Sequence, residues 1–338
     1  MSALHQEFDV GLLGWVKSEI GVALANATQS FDRFLQDPRE GAALQPASAN
    51  LHQVSGALQM IGLDPVARVS EQIEAIANGL AKREIKGSAA TVDLCKNAMV
   101  ALGDYLETLH AGESSVPLKL FPVYRELCKA RGADQVSESD LFYPDLSFQP
   151  PAIMPGPPLT KAEHIALIQD CRSQFESGLL GWIRQPNQSA VKPMREAVDK
   201  IELTQAKSSS RGFWWMVGGF LDVIGAGDNS PAAKLACSRI NMQMKRLADG
   251  SDQVAERLMR DVLFVVARAK PTSARVKELQ FAYKLKELLP PQGAATTYTP
   301  PKIELSSLLR DMRELLAGMK EAWIKFTSGS KASLGPFT

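Results

Sequence analysis

Apolar residues return at intervals of three or four along almost the whole chain. Leu12, Leu13, Val16, Ile20, Leu24, Ala27, Phe31 and Phe34 make one such stripe before Pro38. Val66, Val69, Ile73, Ile76 and Leu80 make another, and Leu94, Met99, Leu102, Leu106 and Leu109 make a third that stops before Gly112. This spacing gathers apolar side chains on one face of an α-helix and predicts amphipathic helices throughout. No alternating β-branched run occurs, and so no Asn-Gly or Asp-Gly hairpin joins two of them. The chain is predicted to be all-α.

Proline interrupts the pattern at two places. Tyr143 to Leu159 holds six prolines, which lack the amide donor and block helix interiors, so an extended linker is expected. A second Pro-rich segment runs from Pro290 to Pro301. These breaks divide the chain into a helical unit at 1–142, a linker at 143–159, a second unit at 160–289, a linker at 290–301 and a remainder at 302–338. In that remainder Leu305, Leu308, Leu309, Met312, Leu315, Leu316, Met319, Trp323 and Phe326 predict one more amphipathic helix, read as the start of a third unit or of a longer chain.

Two landmarks recur between the units. Gly11-Leu12-Leu13-Gly14-Trp15-Val16 returns as Gly178-Leu179-Leu180-Gly181-Trp182-Ile183. The thirteen residues from His52 to Asp64 align without a gap on Trp215 to Gly227. The landmarks keep their order and nearly their separation, which predicts a duplicated domain.

The first copy of the longer landmark contains His52-Gln53-Val54-Ser55-Gly56, followed by Leu58, Ile61, Gly62-Leu63, Val66, Val69, Ile73 and Glu74. It resembles the His-x-x-Lys-Gly phosphoacceptor helix of histidine-phosphotransfer bundles, with Ser55 where lysine is usual. The resemblance implies a tandem pair of antiparallel phosphotransfer-like helical bundles. A neutral imidazole is nucleophilic near physiological pH, and glycine one turn on leaves room for a receiver domain to approach. Lysine would offset phosphoryl charge; serine brings a hydrogen-bond donor and no charge. Three readings of His52 stand open: a phosphoacceptor, a vestigial surface residue, or a histidine kept for packing or a partner contact.

In the second copy Trp215 stands where the histidine would be, with Gly219 in the glycine position. Tryptophan cannot accept a phosphoryl group, so this site is expected to be degenerate. Phe213, Trp214 and Trp215 span much of a helical turn and should not all face inward, which makes Trp215 the expected outward-facing anchor.

The chain has 338 residues, 45% of them hydrophobic and 22% charged, an ordinary globular composition. Lys plus Arg number 38 against 37 Asp plus Glu, which gives no reason to expect nucleic acid or an anionic membrane as partner. Cys95, Cys128, Cys171 and Cys237 are scattered without a CxxC pair, and buried thiols are expected. The four histidines lack metal-ligand spacing, and neither a Gly-rich phosphate loop nor a nucleophile elbow occurs. No metal, cofactor or catalytic residue is therefore expected. The first residues carry no signal-peptide pattern and no apolar stretch is long enough to span a bilayer, which predicts a cytoplasmic protein without direct membrane insertion.

A family resemblance adds to this. Leu13 to Ile20, Val54 to Met60, Leu120 to Leu127, Ala130 to Ala133 and Val136 to Leu146 together resemble the FimL proteins and the N-terminal region of ChpA-type chemosensory kinases. It covers residues 10–150 closely and 160–290 more loosely. The resemblance implies degenerate phosphotransfer bundles that scaffold a chemosensory pathway controlling type IV pili, twitching motility and cyclic-AMP signalling. The implied partners are chemosensory or polar scaffold proteins, or response-regulator receiver domains, with recruitment to the cell pole. An active phosphotransfer protein relaying through His52 is the alternative. The Val136 to Leu146 string has two readings: caps and an apolar strip that seal the linker onto the first bundle, or a docking surface for a partner.

Overall fold

The computed structural model describes residues 10–133, 136–154, 156–205, 208 and 210–291. Among them are eleven α-helices and no strand, in line with the apolar periodicity. The first five are α1 (Val10–Gln36), α2 (Gln45–Met60), α3 (Asp64–Ala81), α4 (Ala89–His110) and α5 (Phe121–Ala130). Six more follow: α6 (Lys161–Arg184), α7 (Gln188–Thr204), α8 (Arg211–Gly225), α9 (Pro231–Ala248), α10 (Glu256–Arg268) and α11 (Ala274–Ala282). The helix expected within 302–338, and nearly all of the second Pro-rich segment, lie outside the described residues.

Local chemistry sets the helix ends. Ser88, Asn187, Ser230 and Ser273 each accept a bond from a backbone amide three residues on, satisfying a donor that the first turn leaves unpaired. Thr160 and Glu163 cap α6 reciprocally. The α2–α3 turn needs Gly62, whose φ of +78° allows the Leu63 amide to reach the Leu58 carbonyl at 2.8 Å. A turn this short folds α3 back along α2.

The helices pack in a recurring order. α1 lies on α2 and α4, α2 on α3, and both α3 and α4 on α5. In the second set α6 lies on α7 and α9, α7 on α8, and both α8 and α9 on α10. Residues of the stripes named from sequence form the first interior, with Leu13, Phe31, Ile73 and Leu102, and Phe175, Met194, Phe220 and Ile240 form the second, all essentially sealed from water. α11 has no counterpart in the first set and packs on α8 and α10.

Among its described residues the first linker contains no helix, as its prolines dictate, yet it is held in place. Arg211 at the start of α8 donates to the Pro150 carbonyl at 3.3 Å and to that of Pro151. The Val136–Leu146 string is an intramolecular clasp. Ser137 and Asp140 form a capping box around the 3-10 turn Glu138–Leu141. Glu138 pairs with Arg268, Asp140 with Arg257, and the Ser139 hydroxyl donates to Asp261 at 2.6 Å. Phe142 meets Phe264 edge to face at 5.3 Å between ring centroids, and the Arg260 guanidinium lies 4.0 Å from the Tyr143 ring centre. The apolar strip thus seals onto α10, not onto the first set alone. Sequence could not show this, because Asp261, Phe264 and Arg268 are distant along the chain.

Candidate functional site

α2 carries no charged residue. Its inward stripe is Ala47, Leu51, Val54, Ser55 and Leu58, which leaves His52 and Gly56 one turn apart on the outer side. The His52 side chain is 81% exposed. Its Nδ1 lies 3.4 Å from Glu74 Oε1 on α3, slightly beyond hydrogen-bond length and closable by a small side-chain rotation. An imidazole Nδ1–H donating to Glu74 would leave the Nε2 lone pair free on this exposed side chain. A Cβ added at Gly56 would meet nothing within 4 Å, so the space over this glycine is open among the described residues. One turn on, Gln59 donates to Glu71 at 3.0 Å, and Arg68 pairs with the same carboxylate at 3.3 Å.

Ser55 does not serve this face. It is buried and donates to the Leu51 carbonyl at 3.0 Å, which also accepts the Ser70 hydroxyl at 2.9 Å. The serine in the lysine position is therefore spent on its own helix, and it is Ser70 that joins α3 to α2 at the same carbonyl.

Trp215 departs from its expected place. It is only 4% exposed, and Phe213 and Trp214 are buried as well. The Phe148 ring from the linker stacks on Trp215 at 5.9 Å, with Tyr283 at 6.4 Å. All three aromatics can be buried because α8 is enclosed on every side, by α7, α10, α11 and the linker. Gly219 is covered by Leu279 of α11, and Gly218 by Arg275.

Nor do the two matched strings occupy like positions. His52 is on the second helix of its set and Trp215 on the third. Likewise Gly11–Val16 opens α1, whereas Gly178–Ile183 closes α6, so Trp15 is 85% exposed and Trp182 is sealed in. Small and apolar residues recur wherever helices pack closely, and here they recur out of register. The indole does not sit where the imidazole sits.

The helix in the place of α2 is α7. Its buried Met194, Ala197, Val198 and Ile201 fall at the spacing of Leu51, Val54, Ser55 and Leu58. This register puts Arg195 in the position of His52 and Asp199 in that of Gly56. Arg195 pairs with Asp199 at 3.2 Å and with Asp222 of α8 at 3.1 Å, and also donates to the Gly218 carbonyl. In both sets, then, the residue at this position turns to an acid on the next helix. The second face is filled: Ser273 donates to Asp222 at 2.6 Å, and Arg275 reaches Glu202 at 3.0 Å and Asp199 at 3.8 Å. Burial raises the Asp199 carboxyl above its ordinary pKa against the pull of Arg195 and Arg275. Aligning buried stripes, rather than letters, would have found Arg195 in the sequence.

Other reactive groups lie apart from this face. All four cysteines are buried, and burial alone pushes Cys95 and Cys237 up to about 12, far from a nucleophilic thiolate. His164 faces Gln205 at 3.1 Å. Among the described residues no group of side chains could hold a metal ion, and no helix is long and apolar enough to cross a membrane.

Two family models match the chain. The FimL C-terminal domain covers residues 12–120, which takes in α1 to α4, and the second domain of the FimL scaffold protein covers 160–296, which takes in α6 to α11. The scaffold protein FimL of Pseudomonas aeruginosa is 26% identical over 328 residues. That alignment takes in 91% of this chain and 57% of the relative, so the chain spans little more than half of its length. No solved structure matches with significance.

Proposed function

Because this chain belongs to the FimL-like family, we propose that it is a non-enzymatic scaffold in pilus-related signalling. Its helix sets are two tandem phosphotransfer-like bundles, a reading supported by the packing order that α6–α10 share with α1–α5. The observation that carries the proposal is one open face beside one filled face. Among the described residues nothing lies over Gly56; at Arg195 and Asp199 the corresponding surface is taken by the chain's own α11. The first bundle binds chemosensory or polar scaffold proteins through the open face, and the second stays closed. This binding links the pathway to twitching motility and cyclic-AMP signalling, in the cytoplasm and at the cell pole. The test is complementation of a strain lacking the chain. Gly56→Arg, folded as judged by circular dichroism, should fail to restore twitching; full restoration refutes the working face.

A second reading is favoured by the exposure of His52 and its neighbour Glu74. Here Nε2 attacks the phosphorus of a phosphorylated donor, a P–N bond forms as the donor's bond to phosphorus breaks, and a receiver carboxylate later takes the group. Incubation with the cognate kinase and labelled ATP decides it. Acid-labile label absent from His52→Gln supports this reading, and an unlabelled wild-type protein excludes it.

A further inference from the structure

α11 shows what fills the face between the second and third helices of a set. Arg275 and Leu279 are four residues apart and so lie on one side of α11. Leu279 sits over Gly219, where a side chain on α8 would collide with it, and Arg275 reaches the carboxylates of Asp199 and Glu202 on α7. The recognition elements are a glycine window for an apolar side chain and acidic groups for a guanidinium one turn away.

The same elements recur in the first set, where only side chains of α2 and α3 themselves reach the acids: Gln59 and Arg68 at Glu71, and His52 near Glu74. Gly56 provides a window with nothing above it among the described residues, and Glu71 and Glu74 follow one another by a turn on α3. α2 contributes no charge, and Arg68, shared between Glu71 and the Tyr143 hydroxyl, offsets one of the two carboxylates, so the face keeps an acidic excess. We propose that the α2–α3 face around Gly56 docks an amphipathic helix of a partner protein that presents an arginine and, one turn on, a leucine. The window lies on the second helix here and on the third helix in the other set, so the docked helix runs closer to α2 than α11 does to α7. Paired carboxylates disfavour an acidic helix or an anionic lipid surface. The chain's own α11 is not the occupant, since Ser273 and Arg275 are engaged at Asp222 and Glu202.

The inference rests on the α2–α3 face being the working face, and its test is independent of the cell. The probe is a fluorescein-labelled, alanine-based helical peptide with Arg-x-x-x-Leu along one side, titrated with the full chain and followed by fluorescence anisotropy. Saturable binding is expected, weakened by about tenfold or more by Gly56→Trp and by Glu71→Lys with Glu74→Lys. A peptide with glutamate in place of arginine should bind at least as poorly as the wild-type peptide binds those variants. Gly56 faces open space and both glutamates reach the surface, and unchanged helicity will confirm that the variants fold. Absent binding, binding indifferent to Gly56→Trp, or equal binding of the acidic peptide would overturn the proposal. So would a dimer by light scattering that Gly56→Trp dissociates, which assigns the face to a second copy. Loss of twitching in Gly56→Arg with no peptide binding rejects this inference and leaves the working face intact. Peptide binding with full twitching rejects the working face instead.

Discussion

Replacing Trp215 by alanine removes an indole that is almost wholly enclosed, stacked by Phe148 and flanked by Tyr283. Truncation of a buried aromatic to alanine costs about 3–5 kcal/mol through lost transfer energy and the cavity left behind. About 0.5–1.5 kcal/mol of that belongs to ring stacking with Phe148. Phe148 is itself 38% exposed, so Phe148→Ala should cost only about 1–2 kcal/mol. Arg211 still grips the Pro150 and Pro151 carbonyls in either variant, so the linker loosens at Phe148 without leaving. Guanidinium unfolding followed at 222 nm reads the stability loss. Chymotrypsin reads the linker, with faster cleavage expected after Leu146 in both variants and after Phe148 in Trp215→Ala. The double variant should show a coupling close to the stacking contribution. A Trp215→Ala protein within about 1 kcal/mol of wild type, with the linker no more accessible, would place the indole on the surface and refute this packing.

Further outcomes follow from the same contacts. Gly56→Ala should stabilise by about 0.5–1 kcal/mol, since the helix gains propensity and the new methyl meets nothing. Gly178→Ala should destabilise by about 1–3 kcal/mol, because its Cβ would come within 2.7 Å of Met194 Cγ and 2.9 Å of the Ala190 carbonyl; unfolding midpoints of opposite sign check the pair. The Thr160 bonds hold Glu163 below its ordinary pKa, so their contribution is complete above the ordinary glutamate value and is lost as pH falls through the depressed one. Amide shifts of Thr160 should follow that titration in wild type and not in Glu163→Gln. Dithionitrobenzoate should leave the four buried thiols unreacted over minutes in the native protein and label all four in guanidinium.

The helices were legible from sequence because burial imposes a period on each of them: Leu13, Ile20, Leu24, Ala27 and Phe31 could belong to little else. His52 and Gly56 were legible for the same reason, since both fall between the buried positions of α2. Register between the two sets was not. Gly, Val, Leu and Ile at close-packing positions make α2 and α8 look alike, while α7, which stands where α2 stands, shares hardly a letter with it. The burial of Trp215 is not legible from one helix alone, because four neighbours enclose α8 and the linker supplies one of them. The clasp from Glu138 to Tyr143 onto α10 was equally hidden. Its partners Arg257, Asp261 and Arg268 become neighbours only through the tertiary fold.

The most direct measurement introduces photoreactive benzoylphenylalanine at position 53, beside His52 on the open face, in cells that make the full chain. Irradiation should yield a discrete adduct with another protein, and the adduct should disappear when Gly56→Arg is added while the level of folded chain stays the same. Undiminished crosslinking in the Gly56→Arg background, or adducts only from a probe placed at exposed Trp15 on α1, would contradict binding at the His52–Gly56 face.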